Sequence, residues 1–110
     1  MGVFYRSSAP PLAPMGPSAL PTPSIPELIR RLTIDANRLE LLHARSSSPN
    51  TLETIARAQA INASLRAECD QLTRGTDIMT RRRLSARVGL QLRLTATLTG
   101  MINQEQRELA

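Results

Sequence analysis

Aromatic residues are almost missing from this chain: there is one phenylalanine, one tyrosine and no tryptophan. Any site built on stacked rings is thereby confined to Phe4 and Tyr5. Cysteine is equally scarce, with Cys69 alone, so one copy can form no internal disulfide and no cysteine-based metal site. A chain without such staples fits a reducing compartment or burial in an assembly. Histidine occurs once, at His43. Lysine is absent, so all 14 basic residues are arginine, against 9 acidic ones, for a net charge of +5 and a pI near 11.2. GC-rich coding explains such a bias, and so does selection of Arg for bidentate recognition of phosphate or carboxylate. Either way the charge favours an acidic partner such as nucleic acid, an acidic protein surface or an anionic membrane.

Long apolar runs are absent too, so no transmembrane segment is expected, and no basic start leads into an apolar stretch as in a secretion signal. The location is not specified; intracellular, or inside an assembled particle, is the expectation. The opening Met1-Gly2-Val3-Phe4-Tyr5-Arg6 has Arg where a myristoylation start has Ser or Thr. No paired carboxylates, Gly-rich phosphate loop, nucleophile elbow or metal-ligand spacing appears, so neither an enzyme nor a cofactor is expected. Asn62-Ala63-Ser64 matches a glycosylation sequon but falls inside a helical stretch. Cys69 stands between Glu68 and Asp70, which disfavour a thiolate, and reads as a small seam residue. His43 sits near a helix C-terminus, where the dipole favours it, and reads as a capping or solvated group.

Proline is abundant and concentrated. Of 8 prolines, seven lie in the first 26 residues: Pro10, Pro11, Pro14, Pro17, Pro21, Pro23 and Pro26. Fixed φ and missing donors exclude helix and central strand. Residues 1–23 therefore read as an extended, partly polyproline arm, at roughly 3 Å per residue, or as a disordered tail. Both aromatics stand at the free end of this arm. Aromatics are preferred interface anchors, so Val3, Phe4 and Tyr5 read as the tip of a tether that plugs a pocket on another subunit. The Pro-x-x-P spacings lack an Arg placed for a standard SH3 ligand.

Residues 24–110 read as a helical body. Ser24-Ile25-Pro26-Glu27 is a capping-box start. Apolar residues follow at Ile25, Leu28, Ile29, Leu32, Ala36, Leu39 and Leu42 or His43, which predicts a helix over 25–45. Ser46 to Asn50 breaks it. A second helix is expected over 51–74, starting at Asn50 or Thr51 with Glu53 completing its cap. Its seam is Leu52, Ile55, Ala58, Asn62, Leu65, Cys69 and Leu72, and Gly75 closes it. A second row, Ala56, Ala60, Ala63 and Ala67, offers a smooth face to another helix. The short connection makes these two helices antiparallel.

The last third carries two patterns. Thr76 or Asp77 can cap a third helix, expected over 77–108. From Leu84 to Leu98, however, every even position is apolar and every odd one polar or Gly, the period of a half-buried strand. No second strand pattern is present to pair with it, and the composition suits a helix. The fold class expected is all-α: an extended arm, a helical hairpin and a third long helix. The alternative is that residues 84–99 form a strand completed by another copy.

The basic residues Arg74, Arg81, Arg82, Arg83, Arg87 and Arg93 gather in this region, with Asp77 the one acid among them. On a helix they can contact phosphates with strong salt dependence, or dock an acidic subunit. No aromatic stands near for base stacking. Asp77-Ile78-Met79-Thr80 and Val88-Gly89-Leu90-Gln91-Leu92-Arg93 resemble the last helix of the flagellar rod-adaptor family. That likeness implies a small helical protein with a flexible start, built into a secretion-type rod. It covers two short pieces separated by a gap and fails after Arg93, where the family's lysine and aromatic positions are not found, so no family is assigned.

A body this small buries a modest fraction of its surface and has reason to be an oligomer. The functional expectation is a non-enzymatic structural subunit of a multi-copy complex, a phage or viral particle or a secretion-type rod, with other subunits as partners. The alternatives are a small nucleic-acid-binding protein acting through phosphates and a helical regulator or chaperone.

Overall fold

The structure, a computed structural model, describes residues 21–72 and 75–109. Helix α1 spans Ile25–Arg45, α2 Pro49–Gln71 and α3 Ile78–Leu109, with no strand among the described residues. The anchor Val3, Phe4 and Tyr5, most of the arm, and Arg74 lie outside them.

Each helix starts on a side-chain cap. Ser24 holds an extended backbone, and its Oγ accepts from the Glu27 amide at 3.3 Å. The reciprocal half of the expected capping box is replaced: the Glu27 carboxylate takes Arg30 and Arg31 at 2.9 and 3.1 Å. Helix α2 begins two residues before the expected start. Ser48 caps it by accepting from the Thr51 amide at 3.4 Å, and Pro49, whose missing N–H has no partner to lose there, fills the first helical position. Glu53 therefore sits too late for the cap and pairs instead with Arg57 at 3.5 Å. At the start of α3, Asp77 accepts from the Thr80 amide at 2.8 Å and from its hydroxyl at 3.1 Å. Gly75, in the connection, has φ +119° and donates its N–H to Leu72 O at 3.1 Å.

The seams repeat with the alternating steps of a coiled coil. The buried residues are Ile25, Leu28, Leu32, Asp35, Leu39 and Leu42 on α1, Thr51, Ile55, Ala58, Asn62, Leu65 and Cys69 on α2, and Leu84, Val88, Gln91, Thr95, Leu98 and Ile102 on α3. Apolar residues a heptad apart bury a narrow stripe on each helix, and three such stripes close a three-helix bundle. One apolar cluster joins the start of α1, the end of α2 and the start of α3; the other joins the opposite ends. The chain thus runs up, down and up.

Three expectations change here. Thr51, not Leu52, opens the α2 seam, four residues before Ile55; Leu52 is half-buried. Asp35, not Ala36, completes the α1 seam, because the heptad step from Leu28 falls on residue 35; Ala36 is half-buried. Residues 84–99 are helical throughout, and the strand alternative does not form. Every third or fourth side chain is buried instead of every second: Ala86, Leu90 and Ala96 face outward while Gln91 and Thr95 point in.

Candidate functional site

The centre of the bundle is polar. Asn62 donates from Nδ2 to Leu32 O and to Asp35 Oδ2, each at 2.9 Å. Gln91 donates from Nε2 to the same Asp35 Oδ2 at 3.0 Å and to Ala58 O at 2.8 Å. Each amide spends both protons on acceptors, which fixes its orientation, since a flip would set oxygen against oxygen. Asp35 Oδ1, Asn62 Oδ1 and Gln91 Oε1 are buried without a partner among the described residues. Thr95, one turn further along α3, returns its hydroxyl to Gln91 O at 3.2 Å. One residue from each helix meets here, so the layer forms only in this register.

A groove of about 250 Å³ opens between α2 and α3 next to this layer, lined by Ile61, Leu65, Arg87, Leu90, Gln91 and Leu94. Ile61 is 46% exposed and Leu90 62% exposed. At one end the Arg87 guanidinium holds Glu68 through two parallel hydrogen bonds of 2.7 Å. That contact draws the Glu68 carboxyl below its ordinary range and raises Arg87. Further apolar side chains stand out on α1, where Ile34 and Leu41 are one heptad apart and both exposed. The alanine row Ala56, Ala60, Ala63 and Ala67 also lies on the open surface of α2.

The basic residues separate into different settings. Arg81, Arg82 and Arg83 occupy the second turn of α3, close to the positive end of its dipole. Arg82 and Arg83 are exposed and make no ion pair among the described residues, while Arg81 is half-buried with its Nε unpartnered there. Arg87 is committed to Glu68, and Arg93 is exposed further along the helix. Sequence reading placed Asp77 as the one acid near this run; Glu68 arrives from α2, a contact between antiparallel helices that chain order hides.

His43 is exposed near the end of α1. Cys69 is fully buried; burial first, then Asp70 and Glu68, push its thiol above the ordinary range. No group of three His, Cys, Asp or Glu gathers among the described residues, and no helix there is long and apolar enough to cross a membrane. No family model, curated protein or solved structure matches the chain.

Proposed function

We propose that this chain is a non-enzymatic structural subunit of a multi-copy assembly, such as a phage or viral particle or a secretion-type rod. Its bundle packs among copies and its N-terminal arm tethers a neighbour. The observation that carries the reading is the uncovered apolar groove between α2 and α3, where Ile61 and Leu90 stand half or more exposed. A small apolar groove left uncovered can seat apolar side chains of another chain. Ile34 and Leu41 on α1 supply a second uncovered strip, as a subunit with neighbours on more than one side requires. The experiment is the mass of the full chain by light scattering across a dilution series. Mass that rises with concentration supports the reading; a monomer at every concentration rejects it. Deletion of residues 1–23 tests the tether, which requires that assembly weaken.

A second reading rests on Arg81, Arg82 and Arg83. Arg82 and Arg83 are exposed without an ion pair among the described residues and Arg81 keeps an unpartnered Nε there, so the cluster presents unneutralised positive charge. Here the chain binds nucleic-acid phosphates, and affinity falls steeply with salt. Changing the three arginines to Ala should abolish that binding; if the salt-sensitive affinity persists, this reading fails.

A further inference from the structure

We infer that the α2–α3 groove is the receptor for the Phe4–Tyr5 tip of a second copy's arm. This rests on the assembly reading and names its contact.

Three observations converge on that occupant. The first is the chemistry of the floor. Ile61, Leu65, Leu90 and Leu94 are apolar, and Gln91, only 3% exposed, commits its amide to the buried centre of the bundle. A ligand that fits must bring a compact apolar body whose polar end stays at the open rim. An aromatic side chain is that body, and Phe4 and Tyr5 are the only aromatics in the sequence.

The second is size and charge. About 250 Å³ lies below the roughly 300 Å³ at which drug-sized pockets begin, so the groove takes one or two side chains and not a whole helix. Its rim charge is already balanced by the Arg87–Glu68 pair at 2.7 Å. A neutral insert is therefore required, and Val3, Phe4 and Tyr5 are neutral.

The third is reach. The arm joins the bundle at Pro21, beside the start of α1. Ile61 and Leu90 lie about eleven or twelve residues from that end of the bundle, which is about 17 Å at the helical rise. Sixteen residues separate Tyr5 from Pro21, and a chain of that length can extend to roughly 50 Å, enough to reach the groove of a neighbouring copy.

Tyr5 also makes the test specific, because tyrosine fluorescence reports this one site. The full chain is diluted while scattering mass and Tyr5 anisotropy are recorded together. Anisotropy should rise with mass. Leu90→Asp on α3 and Ile61→Asp on α2, both at exposed positions, should each remove that rise and weaken association by at least about tenfold, as loss of an anchor does. Phe4→Ala should weaken it likewise. Helical circular dichroism equal to that of the parent chain is the check that both groove variants fold. If mass rises while Tyr5 anisotropy stays flat, the inference is overturned and the assembly reading stands. A monomer at all concentrations overturns both. Anisotropy that is high in the monomer and lowered by Leu90→Asp means that the arm fills its own groove, which overturns the second-copy assignment.

Discussion

Asn62 and Asp35 meet in the middle of the bundle, the amide Nδ2 2.9 Å from the carboxylate Oδ2, with both residues 1% exposed. Gln91 reaches the same oxygen from α3 at 3.0 Å. A buried carboxylate thus rests on two amides from two other helices, which ties all three to one register.

Removing one partner and removing the whole layer should have opposite effects. Asn62→Leu leaves the carboxylate on a single amide and should cost roughly 2 kcal/mol in urea unfolding, as the loss of a buried hydrogen bond to such a group does. Asp35→Leu, Asn62→Leu and Gln91→Leu together complete apolar heptads and should be neutral or stabilising. The triple variant should also lose uniqueness of pairing and populate extra oligomeric species by native mass spectrometry. A single species would show that the layer does not set register.

Glu105 fastens the far end of α3. It accepts from the Thr51 hydroxyl at 2.8 Å, the Ser46 hydroxyl at 3.1 Å and the Ser47 amide at 3.4 Å. The Thr51 bond above all, then Ser46 and the loop amides, lowers its carboxyl below the ordinary value of 4.5. A folded value below the unfolded one means stability that is present above about pH 4.5 and fades as pH falls through the folded value. Amide exchange should therefore show the Ser46–Ser48 loop and the end of α3 opening first on acidification. Glu105→Gln should lower Tm at neutral pH and flatten this acid dependence; an unchanged acid profile would reject the assignment.

The Arg87–Glu68 pair should matter little to stability despite its 2.7 Å geometry, because its side chains are 51% and 39% exposed. Glu68→Gln should cost less than about 1 kcal/mol, less still in high salt. A loss of several kcal/mol would mean that the pair is desolvated.

Cys69 should resist a thiol reagent in the native protein. Its side chain is fully buried, and burial with two acidic neighbours disfavours the reactive thiolate. Labelling should follow the unfolding transition in urea. Rapid native labelling would mean that the α2 end opens locally.

Gly75→Ala should destabilise by about 1 kcal/mol or more. Nothing lies within 4 Å of the added methyl, so the cost is the φ of +119° itself. Gly75→Asn, which tolerates left-handed backbone better, should lose less. Equal losses would point to the loop's packing instead.

Much of the fold is legible in residue order because its signals are local. Ser24, Pro26, the Ser46–Asn50 break, Gly75 and Asp77 act through their own backbones, and they place the helix ends to within a few residues. The α2 seam reads nearly whole from its apolar spacing, except at its start, where Thr51 is buried in place of Leu52. On α1 the same counting picks Ala36, because a search for apolar residues steps over an inward-facing aspartate. On α3 Gln91 and Thr95 take core positions while Leu90 and Ala96 face outward, and the resulting alternation imitates a strand.

What the sequence determined by itself is the first two helices, the helix caps, the concentration of proline before residue 27 and the basic run at residues 81–83, all set by side chains acting on nearby backbone. What only the tertiary structure decided is which polar residues go inside and which apolar ones stay out. Asp35 can be buried because Asn62 and Gln91 arrive from other helices to hold it. Ile61 and Leu90 form a groove because the antiparallel α2 and α3 bring them together. Those facts depend on partners roughly thirty to sixty residues away, and burial of polar groups is governed by such partners.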